Sequence, residues 1–183
     1  MRKIENYETV QASTGEIARP SAGGYFCRIT NVVDVPYDEK TNKGDYLKIE
    51  YDFAEGDFKN YYKEAHEKFG GEWWAKFIRS YKEKALGMFK HFTNCVEESN
   101  SGYKWEWDEK SLIGKLVGLV LGEEEYEAND GSIKKRLYVK DIKTTFDIAN
   151  KNYKVPELKK VERKENNTGF APIPPTDDSD LPF

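Results

Sequence analysis

The last seven residues of the chain join an acidic run to an apolar, aromatic end. They are Asp177, Asp178, Ser179, Asp180, Leu181, Pro182 and Phe183. A terminal phenyl ring can fill an apolar pocket of a partner, and its carboxylate can pair with a basic side chain beside that pocket. The aspartates add attraction to a basic surface, and the prolines upstream stiffen the segment. A tail that served only solubility would gain nothing from a terminal phenylalanine, so the pattern favours a docking peptide.

A second set of residues mixes aromatic rings with cations on predicted strands. Single-stranded DNA needs rings on which bases stack and cations along the path of the phosphates. Any one such residue is also an ordinary surface residue of a strand, and tryptophans in a loop can equally cover a barrel end. The set as a whole favours DNA binding. Its members are Arg28, Tyr46, Lys48, Lys59, Tyr61, Tyr62, Lys63, Lys134, Arg136, Tyr138 and Lys140, with Trp105 and Trp107 from a predicted loop.

Patterns that would support catalysis or metal binding are weak. The three glutamates at 123–125 are adjacent on a predicted strand, so their side chains alternate between faces and do not converge on a metal with Asp130. His66 and His91 have no partnered cysteine cluster with zinc-type spacing. No phosphate-binding loop spacing is present. We therefore expect a non-enzymatic protein that needs no cofactor and no metal.

Length and composition limit the class of protein. The 183 residues suffice for one ordinary domain and a tail. No stretch approaches the roughly 20 apolar residues that a membrane span requires, and 14% aromatic residues exclude a wholly disordered chain. The net charge of -4 disfavours a domain that coats duplex DNA by bulk charge. Any nucleic-acid site must then be a local patch on an acidic protein.

The cysteines and the N-terminus indicate where the protein works. Cys27 and Cys95 have no short metal-ligand spacing, which suggests reduced thiols. The opening residues, MRKIENYETV, lack the apolar core of a secretory signal. We expect a cytoplasmic protein.

The first half of the chain predicts three strands. A strand-like run begins at Gly23 and ends near Val35, and residues 36–45 form a turn. Residues 46–53 alternate strictly, which is typical of a half-buried antiparallel strand. After a tight turn at 55–57, residues 58–62 (FKNYY) are interpreted as a third short strand. The one face of the second strand carries Leu47, Ile49, Tyr51 and Phe53; the other carries Tyr46, Lys48, Glu50 and Asp52.

The second half predicts a helix and a hairpin. Apolar residues spaced by three and four from Glu72 to about Glu97 indicate an amphipathic helix. A loop with Trp105 and Trp107 follows, and then a strand that begins near LIGKLVGLVLG. Asn-Asp-Gly at 129–131 is a strong hairpin signal, and the partner strand is predicted from about Ile133 to Phe146.

This order predicts a mainly β protein with one inserted helix. Five short antiparallel strands with a helix between the third and fourth are the layout of the oligonucleotide/oligosaccharide-binding (OB) fold, although other small half-open barrels share that order. The predicted domain organisation is an N-terminal extension at 1–22, an OB-fold barrel at 23–155 and a flexible tail at 156–183. The composition from about 165 onward indicates disorder.

The ending DDSDLPF closely resembles the acidic C-terminal tip of bacterial and phage single-stranded DNA-binding proteins. The resemblance implies an OB-fold that binds single-stranded DNA and a tail that recruits replication, recombination and repair proteins. It carries over to Asp177, Asp178, Asp180, Leu181, Pro182 and Phe183. The body, through runs such as FIRSYKEKALGMFKHF and KLVGLVLGEEEY, resembles small phage proteins of replication and recombination modules. Its helical insert, Trp-rich loop and acidic balance depart from the common bacterial pattern.

The expected function is therefore to bind and protect single-stranded DNA in a phage-type system inside a bacterial host, and to recruit partner enzymes. Two alternatives stay open. One is an adaptor that binds only protein, for which adding single-stranded DNA would leave the tryptophan fluorescence unchanged. The other is a phage nuclease or recombinase accessory, which the lack of converging carboxylates disfavours. The sequence leaves the oligomeric state open, including a homo-oligomer.

Overall fold

The computed structural model describes residues 18–41 and 43–161. The predicted docking tip at 177–183, the predicted disorder from about 165 and most of the N-terminal extension lie outside the described residues. The barrel domain lies almost entirely within them.

The first two strands follow the predicted alternation. Strand β1 (Gly23–Val35) pairs with β2 (Tyr46–Phe53) in an antiparallel register. Leu47, Ile49, Tyr51 and Phe53 are all buried, because the sheet curls around them, whereas Tyr46, Lys48 and Glu50 alternate with them and are only half-buried. A bulge between Ile29 and Asn31 interrupts the ladder on β1, and a bulge of this kind bends a strand.

The prediction of a strand at 58–62 is wrong. Residues Tyr61–Phe69 form helix α1 instead. The cause is Asp52, a buried carboxylate at the end of β2, which accepts the backbone N–H groups of Tyr62 at 3.0 Å and Lys63 at 2.9 Å. These donors have no partner inside a helix, so the carboxylate fixes where α1 begins.

The predicted helix from about 72 to 97 is also wrong at its beginning. Lys76–Ser80 is strand β3, which pairs antiparallel with β2, and helix α2 runs from Leu86 to Ser99. Helix α2 buries Phe89, Phe92, Cys95 and Val96, whose spacing of three and four places them on one face against the barrel. The amphipathic helix therefore exists, but it is shorter than predicted.

The last two strands form the predicted hairpin. Strand β4 (Leu116–Glu127) and strand β5 (Ile133–Lys143) pair in antiparallel register on either side of the turn at 129–131. The last strand ends at Lys143 rather than at 146, because the side chain of Thr144 accepts the N–H of Asp147 at 3.0 Å. That cap starts the short helix α3 (Thr145–Ala149).

The five strands form a nearly closed antiparallel barrel in the order β3-β2-β1-β4-β5. Strands β3 and β5 border the remaining gap. Burial lowers the pKa of Arg79 on β3, and the negative charge of Asp141 on β5 partly offsets this effect across the gap. With α2 between β3 and β4, this arrangement confirms the predicted OB-fold barrel.

Close backbone packing covers the outer side of β1 and β4. A Cβ on Gly24 would lie 2.3 Å from the ring of Tyr153, and a Cβ on Gly118 would lie 2.5 Å from Ile148 on α3. Beyond Gly23, where β1 begins, Lys159 continues the pairing with β4 by bonding through its backbone to Glu123 and Glu125. The chain after β5 therefore occupies this side of the barrel.

Both cysteines are free and buried. Burial raises the pKa of the Cys27 thiol well above its usual range and that of Cys95 to about 11. Little thiolate exists at neutral pH, so neither thiol is primed for reaction. Within 18–41 and 43–161, no helix is long and apolar enough to cross a bilayer.

Removing the Asp52 carboxylate should destabilise the barrel at the start of α1. We expect Asp52→Ala to lower the free energy of unfolding by about 1–2 kcal/mol, because the N–H groups of Phe53, Tyr62 and Lys63 lose their acceptor. Urea denaturation followed by circular dichroism measures the change. The matched control is Asp57→Ala, which removes an exposed carboxylate from the turn between β2 and α1. It should change stability by less than about 0.5 kcal/mol. Equal effects of the two substitutions would contradict the capping role.

Candidate nucleic-acid interface

The outer surface of β1, β2 and β3 carries a mixed aromatic, apolar and cationic patch, here called the outer face. The register places Val33, Lys48 and Ile78 side by side across the three strands. Val33 is 42% exposed and Ile78 is 55% exposed, so two apolar side chains flank one lysine in solvent. The outer face comprises Val33, Tyr46, Lys48, Glu50, Lys76 and Ile78.

One end of the outer face is formed by the β1–β2 loop and the residues after β3. The Nζ of Lys82 lies 5.1 Å from the centroid of the Tyr37 ring, which joins the two segments through a cation–π contact. Tyr81 donates its hydroxyl to Asp34 at 2.8 Å. Burial, with the hydrogen bond to Asp34 as a second cause, raises the pKa of Tyr81 to about 12. This end is therefore held in place by polar and cation–π contacts.

The other end of the outer face lies where the chain approaches β3. Trp73 is fixed there, because its Nε1 donates to the carbonyl oxygen of Tyr51 at 3.0 Å. Phe77 on β3 is buried, and so is Ala75, which immediately precedes the strand. Continuing this alternation back to Trp74 places it on the outward side with Lys76. Trp74 is 60% exposed.

The lysines of the outer face are already paired with carboxylates. Lys48 lies 3.6 Å from Glu50, and Lys76 lies 2.7 Å from Glu72. The hydrogen bond from Lys76, together with the charges of Lys76 and Lys48, lowers the pKa of Glu72. The pair of Lys76 with Glu72 is exposed and contributes little to stability, so an incoming phosphate can replace that carboxylate at low cost. Glu50 is only 15% exposed and also accepts a hydrogen bond from Asn31.

Four predicted DNA-binding residues fall on the turn before α1 or on α1 itself, not on a strand. Lys59 is exposed in the turn, and Lys63 lies on α1 at 3.9 Å from Glu67. The rings of Tyr61 and Tyr62 pack against the core, where Tyr62 stacks on Phe53 with 5.3 Å between ring centroids. Burial raises the pKa of Tyr62. These four residues do not join the outer face, and a ring held against the core offers little surface to a base.

Lys134, Arg136 and Tyr138 share one face of the β4–β5 hairpin, as predicted, and have acidic or aromatic partners, whereas Lys140 falls at a break in the register between Val139 and Asp141. The Nε of Arg136 donates to Glu124 at 2.7 Å, and Lys134 lies 3.6 Å from Asp130. The ring of Tyr138 is covered by Lys159, whose Nζ is 3.8 Å from its centroid. Lys140 is exposed. The hairpin is therefore a second, largely charge-balanced surface.

Arg28 and the two loop tryptophans take separate positions. Arg28 is exposed on β1, between Asp52 on β2 and Leu116 on β4. Trp105 is half-buried against the core beside Phe89, which fits cover of the barrel end. Trp107 is 75% exposed, and its ring stacks over Phe89 at 6.2 Å between centroids. The two predicted tryptophans therefore differ: Trp105 packs at the edge of the core, and Trp107 lies mostly in solvent.

Sequence reasoning placed Tyr46 and Lys48 on the outward parity of β2, where the structure has them, and did not place Lys76 and Ile78 on a strand. The missed residues were assigned to a helix. The usable signal is the short alternation in which Ala75 and Phe77 point inward while Lys76 and Ile78 point outward. In the described part of the chain, no group of three or more His, Cys, Asp or Glu side chains is arranged to hold a metal ion.

A scan against protein-family models and a search of curated proteins return no match for this chain.

Tyr46 and Tyr62 were both predicted to bind DNA, and the structure assigns them different surroundings. We expect Tyr62→Ala to lower the free energy of unfolding by about 3 kcal/mol, because it empties a site packed against Phe53 and Tyr51. Tyr46→Ala, on the half-exposed outer face, should cost about 1 kcal/mol or less. Urea denaturation of both variants gives the comparison. A larger loss for Tyr46→Ala would contradict the assignment.

Proposed function

We propose that this protein binds single-stranded DNA on the outer face of β1–β3. The observation that carries the proposal is the row of Tyr46, Lys48, Lys76 and Ile78 on two neighbouring strands of an OB-fold barrel. OB-folds commonly bind oligonucleotides on the face of their second and third strands. Rings, apolar side chains and cations occur together there, as an unpaired strand requires.

Each component has a separate task in the proposed mode of binding. The Tyr46 ring and the apolar surfaces of Val33 and Ile78 contact the faces of bases, which every base possesses. Lys48 and Lys76 pair with phosphates, which displace Glu50 and Glu72 from their present partners. Binding is therefore tolerant of sequence and weakens as salt rises.

The cellular role within this proposal is protection of exposed strands in phage-type replication, recombination and repair. The support is the sequence ending, in which three aspartates precede Leu181, Pro182 and Phe183. An acidic peptide with an apolar terminal ring suits capture by a basic pocket on a partner enzyme. The barrel would hold the strand while the ending recruits the enzyme.

A protein-only adaptor is the second candidate. Trp107 and Met88 are 75% and 64% exposed near the start of α2, where apolar side chains could serve a protein partner. The lysines of the outer face are already paired with carboxylates, which is also consistent with a surface that binds no phosphate. This candidate predicts no affinity of the barrel for any oligonucleotide.

A titration of a labelled oligo-dT and of a duplex, each at two salt concentrations, tests the proposed function. Fluorescence anisotropy should show preference for the single strand and an affinity that falls with salt. Each phosphate contact adds roughly 0.7 to the slope of log K against log salt for a single strand. Lys48→Gln and Lys76→Gln should each reduce the slope by about that amount.

Lys151→Gln is the matched control for these variants, because Lys151 is an exposed lysine beyond α3. It should leave the slope unchanged. Absence of binding by the unaltered protein, or an affinity that does not respond to salt, would overturn the proposal.

A further inference from the structure

Helix α1 and the loop behind it are inserted between β2 and β3 and carry two exposed rings. We infer that Phe69 and Trp74 form an additional stacking step, which takes an unpaired base just beyond the barrel. Phe69 is 65% exposed and Trp74 is 60% exposed. The inference rests on the proposed function, because the base belongs to the strand that the outer face holds.

The two rings form a built pair rather than two isolated side chains. Their centroids are 6.5 Å apart and their planes differ by 19°, which is a stacked arrangement. Gly70 and Gly71, with φ of +66° and +89°, reverse the chain between them. Such angles strain any residue with a side chain, so the two glycines permit the tight return that brings Trp74 beside Phe69.

The neighbouring tryptophan explains why Trp74 points away from the core. Trp73 is tied by its hydrogen bond to the carbonyl of Tyr51, and its ring lies 5.6 Å from that of His66. With Ala75 buried on the other side, Trp74 is left on the outward parity. The Trp74 ring therefore remains in solvent and is not buried in the apolar core.

Charge and position select a nucleic-acid base as the occupant. The Nζ of Lys68 lies 5.3 Å from the centroid of Phe69, and Lys76 follows Trp74 by two residues on the same outward parity. One cation thus contacts Phe69 and another follows Trp74 closely in sequence, and either can serve a phosphate next to a stacked base. Trp74 precedes the outer-face residue Lys76 by two residues, so one strand can contact both the ring pair and the outer face.

Trp74→Leu and Phe69→Leu test the stacking step in the full-length protein. Leucine keeps apolar bulk but removes the flat ring. We expect affinity for an oligo-dT of about 20 nucleotides to fall on the order of 10-fold for Trp74→Leu, whereas an oligo-dT of about 5 nucleotides loses less because the outer face alone can hold it. The salt slope should not change, since no charge is removed.

Phe146→Leu is the matched control, because Phe146 is 74% exposed on α3, which packs over Gly118 of β4. Its affinity for both oligonucleotides should equal that of the unaltered protein. A second readout is tryptophan fluorescence, whose quenching by the longer oligonucleotide should drop in Trp74→Leu. Circular dichroism verifies that each variant folds.

The outcomes separate the two ideas. If the unaltered protein binds oligo-dT with a salt-dependent affinity but Trp74→Leu keeps both its affinity and its quenching, the stacking step is wrong and the proposed function stands. If the unaltered protein binds no oligonucleotide, the proposed function is wrong and the stacking step falls with it.

Discussion

The alternation of β2 is the constraint on which the rest of the molecule depends. Leu47, Ile49 and Tyr51 must point inward because the core closes around them, and this forces Tyr46, Lys48 and Glu50 outward. A slip of one residue in the register would bury a lysine and expose the core, so the positions of the outward residues are strongly fixed.

Asp52 is the exception on the outward parity. It is buried because α1 covers it, and its oxygens accept three backbone N–H groups. The outer face therefore ends where α1 begins.

The sequence predicts those parts of the fold in which the spacing of apolar residues fits only a strand or only a helix. The eight residues of β2 alternate in sequence between the two faces of the strand without interruption, and Asn-Asp-Gly at 129–131 identifies the hairpin.

The stretch around β3 is different. A strand of only five residues, followed within six residues by α2, places Phe77, Tyr81 and Ala85 at helical spacing by coincidence. The misassigned strand at 58–62 has another cause: its aromatic residues favour a strand locally, but a capping carboxylate on β2 imposes a helix. Pairing and capping by distant residues cannot be read from a local window, which is why Lys76 and Ile78 were assigned to a helix and not to the candidate interface.

Electrostatics reconcile an acidic chain with a proposed anionic ligand. The cations of the outer face are few, and each lies beside a carboxylate. The exposed pair of Lys76 with Glu72 exchanges partners at little cost. The hairpin of β4 and β5 contains more cations, but Arg136 is held between Glu124 and the ring of Tyr126, and Lys159 covers Tyr138. Cation count alone therefore favours the hairpin, whereas exposed apolar surface beside the cations favours the outer face. An unpaired DNA strand offers bases that can stack on such apolar and aromatic side chains, whereas a simple polyanion offers only charge.

The most direct measurement of the central claim is ultraviolet cross-linking of a bound oligo-dT, with the adducts located by mass spectrometry. Aromatic side chains in contact with bases form the adducts, so the map reports which rings the strand touches. The account predicts adducts on the peptides that contain Tyr46 and Trp74, and none on the hairpin peptides that contain Tyr126 and Tyr138. Adducts concentrated on the hairpin, with the Tyr46 peptide unmodified, would contradict it.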